Sequence, residues 1–112
     1  MITGITRRQT FDRLRREGTR VRGARLALTF VPRDDARPEV AFAISRKLGP
    51  AVVRNRCRRR VRPLLAAHAR TGRLRPGAYL VQVTGRVDEL DAAVLSRDVD
   101  DLLAALDARV TG

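Results

Sequence analysis

Apolar positions along this chain fall into two rhythms, one near 3.6 residues and one of two. Thr6 followed three residues later by Gln9 has the form of a capping box, and Phe11 and Leu14 recur at i, i+3 before Gly18, which predicts a short basic first helix. From Arg25 to Val31 and from Glu39 to Ser45 the period becomes two: Leu26, Leu28, Phe30 and Val40, Phe42, Ile44 alternate with Ala27, Thr29 and Ala41, Ala43, Ser45. These segments read as strands, and the turn from Pro32 to Pro38 between them predicts a hairpin. Pro50 after Gly49 suits the first residue of a second helix, whose stripe is Val53, Cys57, Val61, Leu64 and Leu65. Pro63 removes a backbone hydrogen bond and crowds Arg59, so a kink or local break is expected there. A loop follows from Arg70, then a strand from Tyr79 to Thr84. The long helix before it makes a parallel βαβ unit the natural arrangement. Ser96 can cap a closing helix with Val99, Leu102, Leu103, Leu106 and Val110 at core spacing.

The two strand faces differ in side-chain size. The large set should face the core. The small set leaves a shallow groove on the other side of the sheet, unless a helix packs closely over it.

Charge sharpens this picture. The 112 residues, taken as a single domain spanning 1–112, carry a formal charge of +12. Through Arg75 there are 21 basic and 5 acidic residues, and from Pro76 onward 3 basic and 7 acidic, so a binding face for an anion belongs to the first two thirds. Between Arg46 and Arg62 eight cations occupy seventeen positions with no acid among them. Such a segment repels itself unless a polyanion supplies the missing charge, and nucleic acid is the obvious candidate. Of the 24 basic residues only Lys47 is a lysine. Arginine's planar fork suits phosphate and bases, although a GC-rich genome favours arginine codons as well. With no Trp, one Tyr and three Phe, binding mainly by base stacking is disfavoured. The lone Cys57 excludes an intrachain disulfide and has no metal-site spacing partner. No apolar stretch resembles a signal peptide or a membrane span, and the expected location is the cytoplasm.

The strongest chemical signal joins Arg46, Lys47 and Gly49 before the second helix to Arg54, Asn55 and Arg56 in its first turns. A helix start presents unpaired N–H groups and partial positive charge, so cations added there build an anion site. Asn55 can donate and accept toward backbone or 2′-hydroxyl groups without adding charge. A merely solvated basic helix would intersperse acids as i, i+4 partners, and none occurs here. Enzyme signals are weak. His68 has no acid or nucleophile at a suggestive spacing, Cys57 lies in the apolar stripe, and Asp34 and Asp35 fall in a turn.

The segment from Ser45 to Arg62, SRKLGPAVVRNRCRRRVR, resembles the hallmark of the bacterial ribonuclease P protein subunit, an Arg-Asn-Arg helix after a Lys-x-Gly turn. Phe11 with Gly18 and Thr19, the paired strands, the strand at Tyr79 and the closing helix follow the family's order. The resemblance implies an α/β (α+β) sandwich of αβββαβα type, with a mixed, mainly antiparallel sheet and a left-handed βαβ crossover, where general handedness rules favour the opposite. It also implies that the protein is not the catalyst: a large RNA holds Mg2+ and hydrolyses the phosphodiester joining the 5′ leader to precursor tRNA. By position, Arg46, Lys47, Gly49, Arg54, Asn55, Arg56, Arg58, Arg59 and Arg62 would contact that RNA. Phe11, Arg15, Ala27, Thr29, Ala41, Ala43 and Ser45 would line the leader groove. Arg15 and Thr29 stand where relatives commonly place aromatics, which shifts the expected leader contact from rings toward charge.

The leading expectation is therefore an RNA-binding, tRNA-processing accessory subunit, with ribonuclease P RNA and precursor tRNA as partners. No membrane is involved, and a monomer joins one RNA. A general or ribosomal RNA-binding protein would keep the basic helix and assign the groove no role. A nuclease acting alone would need an acid or histidine constellation that the sequence lacks.

Overall fold

In the computed structural model, residues 2–33, 37–83 and 91–111 are described, so Asp34, Asp35 and Thr84 lie outside them. A two-residue strand β1 (Thr3–Gly4) precedes helix α1 (Arg8–Glu17). Strands β2 (Thr19–Arg22), β3 (Leu26–Pro32) and β4 (Glu39–Ala43) follow, then a 3₁₀ turn (Arg46–Leu48), helix α2 (Ala51–Arg70), strand β5 (Gly77–Val83) and helix α3 (Ala92–Thr111). The order is the expected αβββαβα with β1 added in front. The apolar pattern predicts neither β1 nor β2, because both are short and mostly polar.

The five strands form one sheet in the order β1-β4-β5-β3-β2. Interfaces β2–β3 and β3–β5 are antiparallel, with four and seven paired residues, while β1–β4 and β4–β5 are parallel with two and five. The expected parallel unit is β4-α2-β5. The expected hairpin is absent: β3 and β4 run antiparallel, but β5 lies between them. β5 carries apolar residues toward both faces and is buried through its first three positions, so it takes the centre of the sheet. The connection after β3 must then step over one strand, roughly 10 Å. At its first residue the Arg33 N–H donates to the Pro76 carbonyl at 3.4 Å, just before β5 begins.

Strand alternation sorts the two layers. Leu26, Leu28, Phe30, Val40 and Val81 face α2 and α3 in the main core, which takes Cys57, Val61 and Leu65 from α2 and Leu95, Val99, Leu102, Leu103 and Leu106 from α3. Phe42 and Ile44 pack against the same cluster, as the large-residue pattern predicted. Tyr79 stacks on Phe30 with ring centroids 4.8 Å apart, and its hydroxyl donates to the Arg75 carbonyl at 2.6 Å. On the other face α1 brings Leu14 and Phe11 over Val31, Ala78, Leu80 and Ala41.

Three local expectations are corrected. Helix α1 starts at Arg8 after Arg7, with no side-chain cap, so the Thr6–Gln9 box is not formed. Ser96 lies inside α3, one turn beyond its start, and Asp91 Oδ1 instead accepts from the Val94 N–H at 2.8 Å. Helix α2 runs unbroken through Pro63. Its apolar stripe anchors both sides of that proline, through Cys57 and Val61 before it and Leu65 after it.

Candidate nucleic-acid interface

Where β4 ends, the chain turns sharply into α2. Ser45 Oγ accepts from the Lys47 N–H at 3.2 Å and so caps the 3₁₀ turn that carries Arg46 and Lys47. Gly49 then adopts φ 144° and ψ −179°, a region open in practice only to glycine, and its N–H donates to the Arg46 carbonyl. Pro50 occupies the N-cap rather than the first helical position, and it offers no capping side chain. The first turn of α2 contains no acid. The positive end of a 20-residue helix is therefore left open beside two exposed cations.

The next turns extend this surface. Asn55 and Arg56 are exposed, as are Arg59 and Arg62, while Arg54 and Arg58 are half-buried. Arg58 donates to Asn55 Oδ1 at 2.8 Å, and Arg59 Nε reaches the Asn55 carbonyl at 3.4 Å. The Asn55 side-chain oxygen is thus occupied, and among the described residues its NH2 group has no acceptor, which leaves it to donate outward. Arg54 Nε is enclosed without an acceptor among the described residues. Val52 is 58% exposed among these cations and adds an apolar contact point. All nine residues expected to meet RNA fall on this one stretch of turn and helix. Cys57, between them in sequence, points into the core, and burial pushes its thiol pKa up despite the neighbouring Arg58 and Arg60.

The expected groove is only partly open. Ala43, Ser45 and Arg15 are exposed, and Phe11 and Ala41 are half-buried. Ala27 is 0% exposed and Thr29 8%, so neither can line an open surface, contrary to expectation. Gly18 is one cause: it lies so close over β3 that a Cβ on it would sit 2.4 Å from Thr29 Cγ2. A second is Arg20, whose Nε donates to Gln82 Oε1 at 3.4 Å. In register, Arg20 pairs with Thr29 and Ala27 with Gln82, so this contact bridges β3 above the small side chains. Arg20 and Gln82 therefore replace Ala27 and Thr29 as the accessible groups of the trough. Sequence reasoning missed both; alternation alone puts them on the small-residue face once the pairing is known. Arg15 is held by Asp12 at 2.6 Å.

His68 acquires a partner that its sequence neighbours do not supply, Asp100 of α3, at 2.9 Å. Among the described residues no three of His, Cys, Asp or Glu group as metal ligands, and no helix is long and apolar enough to cross a membrane.

A family model described as ribonuclease P matches residues 3–107. The ribonuclease P protein component of Thermobifida fusca is 38% identical over 111 residues, covering 91% of this chain and 74% of the relative. That of Beutenbergia cavernae is 38% identical over 106 residues, covering 94% and 88%. Among solved structures, the RNase P protein of Staphylococcus aureus superposes with a TM-score of 0.80 at 17% identity, covering 91% of this chain and 93% of that one. The Thermotoga maritima protein gives 0.77 at 19% identity, covering 89% and 94%. These two structural likenesses bear on the fold.

Proposed function

Because the chain belongs to the ribonuclease P protein family, and is thereby a component of an endoribonuclease complex with an RNA partner, we propose that it binds ribonuclease P RNA through the start of α2 and the 5′ leader of precursor tRNA along the trough. Cleavage would be the work of the RNA, which would hold the Mg2+ needed for hydrolysis of the phosphodiester. The chain supplies cations. Two RNAs brought together repel through their phosphates, and Arg46, Lys47, Arg54, Arg56, Arg58, Arg59 and Arg62 offset that repulsion while the open helix end takes a phosphate oxygen. Asn55 donates its NH2 group to a backbone or 2′-hydroxyl oxygen. Arg20, Gln82, Arg15 and Phe11 border the leader's path, with one protein acting per RNA in the cytoplasm.

The observation that carries this reading is the acid-free cationic surface built on an uncapped helix start. The test is reconstitution with a bacterial ribonuclease P RNA at low magnesium, following 5′ maturation of precursor tRNA. The chain restores maturation that the RNA alone cannot sustain there. Arg54→Ala with Arg56→Ala weakens assembly on the order of 100-fold or more while circular dichroism is unchanged, since each of the two lost charge-assisted contacts is worth roughly 1.5–3 kcal/mol. Unchanged affinity at physiological salt contradicts the assignment.

A further inference from the structure

The outer side of α2 carries a second feature, away from the helix start. Arg59, Pro63, Ala66 and Arg70 recur at i, i+4, i+7 and i+11 and so form one stripe, flanked by Arg62. Together with Ile2, just before the edge strand β1, they surround an open concavity of about 660 Å3. Ile2, Pro63 and Ala66 give it an apolar floor, and three guanidinium groups form its rim. Arg59 Nε touches the Asn55 carbonyl, whereas Arg62 and Arg70 show no hydrogen bond or acidic partner among the described residues. An apolar slot rimmed by cations matches an unstacked nucleobase, whose face rests on the floor while flanking phosphates meet the arginines. An acidic peptide would satisfy the cations and leave the apolar slot unused.

We propose that this concavity seats one unpaired nucleotide of the ribonuclease P RNA. The trough lies on the opposite face of the sheet, so the leader cannot occupy both places. This inference rests on the chain being that RNA's partner, and its test is separable from that reading.

The probes are 5′-AMP and ribose 5-phosphate, added to the full chain, with the methyl resonances of Ile2 and Ala66 as reporters. AMP shifts both methyls saturably, and ribose 5-phosphate at the same concentration shifts them several-fold less. Ala66→Trp, which fills the slot and keeps every charge, abolishes the AMP response at Ile2. Should that variant not fold, Arg70→Gln leaves the floor intact and weakens the AMP response several-fold. Equal shifts by the two probes would mean a site for phosphate alone, and no shift would mean no site; either overturns the proposal. With the whole ribonuclease P RNA, Arg70→Gln weakens assembly several-fold and leaves the extra affinity conferred by a 5′ leader unchanged. A change confined to leader dependence overturns it too. The AMP titration needs no RNA subunit, so its outcome does not depend on whether the start of α2 binds ribonuclease P RNA.

Discussion

Asp98 shows how much of the molecule hangs on single side chains. Buried in α3, its carboxylate accepts from the N–H groups of Ala24, Arg25 and Leu26 at 3.0, 3.0 and 2.8 Å, which fastens α3 to the turn between β2 and β3. Gly23 lets that turn approach: a Cβ there would sit 2.5 Å from Asp98 Oδ1. Asp98→Ala leaves three N–H donors without their acceptor and is expected to lower stability by about 2–4 kcal/mol in urea unfolding, with Asn recovering part of the loss. A change below about 0.5 kcal/mol means that water replaces the carboxylate at no cost. The signal was present in the sequence, since Asp98 follows Leu95 by three and precedes Leu102 by four, an acid on an apolar face. Cys57 gives a second prediction at this scale. Its thiol is buried and its pKa raised by desolvation, so at neutral pH it stays protonated and reacts slowly with a disulfide reagent until the chain is unfolded. Rapid labelling of the native protein would place Cys57 at the surface with its arginine neighbours.

Among the elements, α2 was legible because its two requirements do not conflict. The stripe from Val53 to Leu65 fixes the buried side, and the arginines have only the remaining surface to occupy. The alternation in β3 and β4 likewise fixed which residues face the core. Strand neighbours were not legible, because period-two alternation says which way a side chain points and nothing about which strand lies alongside. The insertion of β5 between β3 and β4 depends on its two-faced apolar sequence and on the crossover through α2. That same insertion brings Gln82 within reach of Arg20 and closes the floor over Ala27 and Thr29. What remains open is the β4 side, where Ala43 pairs with Gln82 and stays exposed. Ala43→Phe therefore places a ring in the trough without disturbing the core, and it is expected to weaken binding of precursor tRNA carrying a leader several-fold more than binding of mature tRNA. Equal effects on the two RNAs would remove the trough from leader recognition.

For the whole molecule, charge separates along the chain and is then partly rejoined by folding. The acidic residues from Pro76 onward lie largely on α3, where Asp107 holds Arg75 at 2.9 Å. This contact falls in the loop after α2, so the acid-free surface at its start keeps its excess. An approaching RNA is attracted to that surface and repelled by the exposed Asp100 and Asp101, which orients the encounter before any contact forms. The consequence is quantitative. If about six phosphates are neutralised, affinity for ribonuclease P RNA falls roughly 10³-fold between 50 and 200 mM salt. A titration across that range tests the count, and the double variant Arg54→Ala, Arg56→Ala tests where it comes from. Each arginine that meets a phosphate contributes about 0.9 to the slope of log affinity against log salt, so removing both should flatten it by close to 2. A slope that is unchanged while affinity drops would mean that these arginines shape α2 without neutralising phosphate, and the attraction would then have to come from cations elsewhere on the chain.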